Sequence, residues 1–276
     1  MDLPTRTALR YVQPLREGGS LPAVVDTDDG RFVVKFRGAG QGAKALIAEL
    51  IVALLARELG LPAPDLALVD VPSAFGRSEP DPEIQDLLRA SHGVNVGLRY
   101  LDGAFNFALA AAGHLITSDF AAKLVWLDAL VTNPDRTHRN TNLLIWERRP
   151  WLIDHGAALY AHHDWARLDD ARTRAPFPMI RDHVLLTVAS EIDAVDEECA
   201  ARLDIGVLRE ILTLVPDELL MDPVAGRDFQ SGDAARDAYV SYLQTRLEGS
   251  RAFSAAAEEA RKMRLAEPPV PHAARR

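Results

Sequence analysis

Residues 133–156 read NPDRTHRNTNLLIWERRPWLIDHG. Asp135 and Asn140 stand five apart, and Asp154 follows Asn140 by fourteen residues at the end of a short apolar run. Phosphoryl transfer asks a protein for positioning and charge neutralisation rather than covalent help, and an acid, an amide and a second acid in this order can supply both. In that chemistry Asp135 orients a hydroxyl and accepts its proton. Asn140 and Asp154 offer the hard oxygen ligands that suit magnesium, a cation held by few protein groups plus phosphates and water. The runs LLIW (143–146) and WLI (151–153) read as two short strands about the turn ERRP, a hairpin that brings Asn140 and Asp154 together. Taken alone, NPDRTHRN has the composition of any Asx-rich turn. Its pairing with IDHG in the required order favours the site.

A second constellation lies upstream. RFVVKF (31–36) alternates, with Phe32, Val34 and Phe36 on one face and Val33 and Lys35 on the other, as a strand should. An ammonium on such a strand wants an anionic partner, because burying it unpaired is costly; nucleotide phosphates would serve. Before it, PLREGGSLPAVV places Gly18, Gly19 and Ser20 between two extended runs, and DTDDG (26–30) makes a tight turn into the lysine strand. Glycines there could lay flexible backbone over phosphates, or simply turn a hairpin. After the strand, KALIAELIVALLAREL (44–59) reads as a helix ended by Gly60 and Pro62. Glu49 near its middle is a candidate partner for Lys35, with Glu58 as the other available acid.

This order of Gly-rich hairpin, VVK strand, Glu-bearing helix, D-x-x-x-x-N loop and ID-x-G resembles the protein-kinase-like fold. NPDRTHRNTNLLI and LIDHG are most similar to the HipA-like kinases and share features with phosphatidylinositol 4-kinase type II and the aminoglycoside phosphotransferases. The motifs fall within roughly residues 8–160. The resemblance implies an α+β, bilobal chain: a small antiparallel β-rich N-lobe with one helix over 1–102, a larger, mostly helical C-lobe over 103–265, and a flexible tail over 266–276. It implies ATP and Mg2+ as cofactors and transfer of the γ-phosphate to a hydroxyl, foremost a protein Ser or Thr. Lys35, Gly18, Gly19, Ser20, Glu49, Tyr100 and Leu101 would meet ATP, the last two at an inter-lobe hinge; Asp135 would be the base, and Asn140 and Asp154 the metal ligands.

The chain also departs from ordinary protein kinases. H-R-D is N-P-D, D-F-G is D-H-G, and no A-P-E segment follows, so a eukaryotic-type activation loop is not expected. Asn142 is a second candidate ligand. Arg136, His138 and Arg139 read either as phosphate or substrate contacts or as ordinary surface residues. A nucleotide-binding pseudokinase is an alternative from the binding-module class, although the three essential polar positions are all present. A dinucleotide-binding unit is another: FVVKF, GAGQGA, a long apolar helix and LALVD ending in Asp70 imitate its strand, glycine turn, helix, strand and acid. Its third glycine comes one residue early, and a lysine interrupts a strand that should be buried on both faces.

With 276 residues, 48% hydrophobic and 26% charged, the chain can bury a sizeable core. A net charge of -9 disfavours general nucleic-acid binding or an anionic membrane surface. Cys199 is the sole cysteine, which excludes an internal disulfide framework and a Cys-cluster zinc site; it reads as an inert structural thiol. His162 and His163 read as solvated or hydrogen-bonding rather than metal-ligating. Neither the N-terminus nor the helix over 44–59 reads as a membrane span, so a cytoplasmic protein is expected. Residues 71–93 look like an insertion with a short helix at 82–90, and NVGLRYLDG (95–103) like a strand ending in a turn. DFAAKLVWLDALV (119–131) reads as the helix that delivers the chain into the 133–140 loop. Beyond Pro178, helical patterns are expected over 179–192, around 192–214 and over 234–263.

Overall fold

The computed structural model describes residues 3–15, 21–40, 42–77 and 79–267. Gly18, Gly19 and Ser20 lie outside the described residues. The chain is mixed α+β. Its first part forms a closed barrel of five strands: β1 (Thr5–Pro14), β2 (Ala23–Thr27), β3 (Gly30–Lys35), β4 (Leu66–Val71) and β5 (Gly93–Arg99), in the order β1-β2-β3-β5-β4. All neighbours are antiparallel except β1 and β4. Register shifts between Ala8 and Arg10 and between Tyr11 and Gln13 bend β1, as bulges do, so that one strand closes the barrel onto both β2 and β4. Phe32, Val34 and Phe36 point into the barrel core with Val25 and Val69, as their alternation requires. Gly97 makes room for them, since a Cβ there would lie 2.7 Å from Val69 Cγ2.

This topology excludes the dinucleotide-binding alternative. That unit sets the strands before and after its helix side by side in a parallel sheet, whereas β5 lies between β3 and β4 and pairs antiparallel with both. Gly38 serves packing: a Cβ would come 2.7 Å from that of Ala90, and its N–H donates to Ser91 Oγ at 3.1 Å. These neighbours end α2 (Pro82–Ala90), the short helix of the insertion.

Helix α1 (Gly42–Glu58) is apolar on every side because it is buried on every side; all of residues 43–56 are buried. It packs against β5 and against three helices of the later chain, and one continuous core runs from β5 through α1 into them. Its end has the Schellman pattern: Gly60 takes φ +75°, Leu61 N–H donates to Ala56 O, and Gly60 N–H to Arg57 O.

After β5 come β6 (Phe105–Asn106), α3 (Leu109–Ala112) and α4 (Ser118–Leu130). Thr117 caps α4, its hydroxyl accepting from Phe120 N–H at 3.2 Å. The hairpin β7 (Leu143–Trp146) and β8 (Arg149–Leu152) joins β6 in a small sheet. Six further helices follow: α5 (Asp170–Thr173), α6 (Asp193–Arg202), α7 (Ile205–Thr213), α8 (Asp217–Leu220), α9 (Gly232–Leu247) and α10 (Ala252–Ala266). Those packed on α1 are α4, α7 and α8.

Three helical expectations are corrected. The segment over 179–192 is no α-helix: a 3-10 turn (Pro178–Asp182) opens it, and then its backbone turns to the 133–140 loop. His183 bridges Thr137, and Val184 N–H donates to Arg136 O at 3.1 Å, so tertiary pairing replaces helical bonds. Around 192–214 the helix breaks before Asp204, whose carboxylate caps α7. Over 234–263 the break lies between α9 and α10, where Gly249 has φ +73° and Arg251 turns its guanidinium to Asp196 at 2.7 Å.

Candidate active site

Lys35 ends β3 with its ammonium 2.6 Å from Glu49 Oε2 and 2.5 Å from Asp154 Oδ1. The helix is thereby joined to the end of the β7–β8 hairpin through one cation. Glu49 is fully buried, and its Oε2 also accepts from His155 N–H at 2.7 Å. Of the two glutamates that α1 offers, the structure thus sets Glu49 on Lys35, while the Glu58 carbonyl meets Arg202. Burial alone would lower the Lys35 pKa, but the two carboxylates raise it above its ordinary value. Burial likewise works against ionised Asp154, and Lys35 overcomes it and holds that carboxyl below its usual range.

Asp154 leaves the hairpin at φ +56° and Asn142 enters it at φ +47°. Side chains with a Cβ rarely adopt this left-handed region, and such strain clusters where surrounding contacts fix a functional group. The two residues are adjacent: Ile153 N–H donates to Asn142 O at 3.1 Å, and Asn142 Nδ2 lies 3.4 Å from Asp154 O. Asp135 Oδ2 accepts from Asn140 Nδ2 at 2.8 Å and from Asn142 Nδ2 at 3.2 Å. Both asparagines therefore touch Asp135, and Asn142 links it to the backbone of Asp154. Asp135 Oδ1 has no hydrogen bond among the described residues and stays open to an incoming group. Tyr100 donates its N–H to Arg31 O at 3.0 Å where β5 ends, and the Leu101 carbonyl accepts from Ala104 N–H at 3.1 Å. The Leu101 N–H has no partner among the described residues.

The loop rests on a buried polar network that sequence reasoning missed. Asp128, from the last turn of α4, is fully buried and accepts from Arg136 Nε at 2.6 Å, Asn133 Nδ2 at 2.9 Å and His183 Nε2 at 3.0 Å. Burial would raise the Asp128 pKa, but the Arg136 charge and these hydrogen bonds hold it far below the carboxylate range. His183 Nδ1 accepts from Leu185 N–H, which leaves its proton on Nε2, facing Asp128. Asn133 Oδ1 in turn accepts from Asp135 N–H at 3.1 Å. Arg136 also donates to Asn142 O and, at 3.2 Å, to His155 Nδ1. Since an arginine cannot accept, His155 carries its proton on Nε2 and is neutral; burial pushes its pKa from 6.5 to about 4. The available signal was Asp128 itself, an acid in the last turn of a mostly apolar helix.

His138, Arg139 and Asn140 are exposed, so of the three basic loop residues only Arg136 is internal. His162 is buried, its Nδ1 3.1 Å from the Tyr239 hydroxyl. Cys199 is buried in the core, which pushes its thiol up to about 12 and leaves it inert. A cavity of about 580 Å³ lies between the 165–173 segment and α9, and it contains none of the residues around Lys35 and Asp135. Among the described residues no group of three or more His, Cys, Asp or Glu gathers to hold a metal, and no helix is long and apolar enough to cross a membrane. What the loop does present is oxygen: the second carboxylate oxygen of Asp154 and the amide oxygens of Asn140 and Asn142 make no hydrogen bond among the described residues. This donor set fits a hard cation that takes its remaining ligands from a substrate and water.

A family model described as HipA-like kinase matches residues 10–173, the stretch that runs from β1 through Lys35, Glu49, Asp135 and Asp154 to α5. No curated protein matches the chain. Among solved structures, the Helicobacter pylori proinflammatory kinase CtkA is similar in fold, with a TM-score of 0.54 at 13% identity, covering 96% of this chain and 100% of that one.

Proposed function

Because this chain belongs to the HipA-like kinase family and is therefore a phosphotransferase, we propose that it moves the γ-phosphate of Mg-ATP to the hydroxyl of a protein Ser or Thr, in a cleft between a barrel-bearing N-lobe and a helical C-lobe. The observation that carries the reading is the convergence of Lys35, Glu49 and Asp154 within 2.6 Å contacts, with Asp135 held by two amides beside them. Lys35, fixed by Glu49, would meet the nucleotide phosphates. Asp154 with Asn140 or Asn142 would hold magnesium, which neutralises charge on the phosphates. The hinge residues Tyr100 and Leu101 would face the adenine, with the Leu101 N–H as its donor.

The acceptor hydroxyl would stand at Asp135 Oδ1. Its oxygen forms the new bond to the γ-phosphorus, the bond from that phosphorus to the β,γ-bridging oxygen breaks, ADP leaves, and the hydroxyl proton passes to Asp135. The Asp128–Arg136–His183 network keeps the loop in place while this occurs. The test is transfer of labelled γ-phosphate, to the protein itself or to added protein acceptors, by wild type and Asp135→Asn. Losing a general base typically costs about 10²–10⁴-fold in rate. A variant that keeps full turnover and Mg-ATP affinity removes Asp135 from the base role, whereas a wild type that binds Mg-ATP without turnover would instead indicate a pseudokinase.

A further inference from the structure

The reading above leaves the acceptor open, and the surface around Asp135 narrows it. The single antiparallel bridge between Thr137 and His183 joins the loop that carries His138 and Arg139 to the segment that follows the Pro178–Asp182 turn, and Arg181 lies two residues before that bridge. His138 and Arg139 are exposed and make no ion pair among the described residues. The Arg181 side chain is 76% exposed, and its carboxylate neighbour is the adjacent Asp182, 3.8 Å away and itself open to solvent. So long and exposed a pair is weak and leaves the guanidinium available. Arg139 directly precedes Asn140, whose amide lies on Asp135. This cationic rim belongs to a chain of net charge -9, and most other arginines of the later chain are tied to carboxylates or carbonyls, as Arg174, Arg236 and Arg251 are. Met179, 54% exposed on the same segment, adds an apolar contact beside it.

We infer that His138, Arg139 and Arg181 form the acceptor-side rim of the site and select an anionic polypeptide, one whose Ser or Thr is flanked by acidic side chains. An acceptor that brings a hydroxyl to Asp135 lies against the loop that carries the exposed His138 and Arg139. Opposite charge raises the encounter rate and like charge rejects wrong partners. The inference rests on the phosphotransferase reading and deepens it.

The experiment measures γ-phosphate transfer to two surrogate acceptors, dephosphorylated casein as an acidic protein and histone as a basic one. Wild type is compared with Arg139→Gln/Arg181→Gln at low and physiological salt. The expected result is at least a tenfold preference for casein, lost in the double variant through a higher KM for casein, with KM for ATP unchanged and the preference shrinking as salt rises. Equal or better transfer to histone overturns the inference. So does transfer to neither protein while Mg-ATP still binds, and so does a double variant whose only change is a higher KM for ATP, which would assign these cations to the nucleotide. Loss of Mg-ATP binding in wild type would instead defeat the phosphotransferase site itself.

Discussion

Replacing Arg136 with methionine should destabilise the protein far more than the same change at Arg139, three residues along the same loop. Arg136 and Asp128 are both fully buried, and their contact is 2.6 Å. Removing one member of such a pair strands the other charge in a low-dielectric interior and typically costs about 3–5 kcal/mol. Asn133 and His183 still bond Asp128 in the variant, which argues for the lower half of that range. A protein of this size loses about 2–4 °C of midpoint per kcal/mol, so a drop of about 10 °C is expected in a thermal melt followed by circular dichroism at fixed scan rate. Arg139→Met, at an exposed site with no ion pair, should stay within about 0.5 kcal/mol of wild type. Adding Asp128→Asn to Arg136→Met should recover part of the loss, because the stranded charge is then gone. Equal melting of the two single variants, or no recovery in the double variant, would refute the claim that this buried pair anchors the loop.

Acid should weaken the fold through His155. Its folded pKa lies below its unfolded one, so the contribution is fully present above pH 6.5 and is lost as pH falls through about 4; the span corresponds to about 3 kcal/mol. Urea midpoints measured from pH 7 to pH 4 should fall accordingly, and a flat profile would show that His155 is protonated or exposed in the native state. Gly38→Ala should cost about 1–3 kcal/mol by overpacking against Ala90 and Ser91 while leaving Mg-ATP affinity intact. A variant that melts normally but binds nucleotide poorly would instead place Gly38 against the nucleotide.

Much of the site was legible because its chemistry is local in sequence. Asp135, Asn140 and Asp154 lie on one loop and hairpin, and the Lys35 strand announces itself by alternation. The partnership with Glu49 needed only that the acid near the middle of an apolar helix be noticed. The barrel was less legible: three antiparallel strands can be read from the turns, but the parallel closure of β1 onto β4 depends on two bulges that carry no residue signature. The segment over 179–192 misled for a related reason. Its apolar run HVLLTV suits a buried helix or an extended path equally, and the decision came from hydrogen bonds to Arg136 and Thr137, far away in the chain. Asp128 and His183 escaped notice because their importance exists only where α4 and that segment meet.

The most direct test of the site is the thermal shift given by ATP and magnesium together, measured on wild type and Asp154→Ala. A ligand at about a hundred times its dissociation constant adds about 2.7 kcal/mol, enough to raise the midpoint by several degrees in a chain of this size. The expected result is stabilisation of wild type that needs both components and disappears in Asp154→Ala. An unshifted wild type, or an Asp154→Ala variant stabilised as strongly as wild type, would contradict the assignment of the Lys35, Glu49 and Asp154 cluster to a magnesium nucleotide.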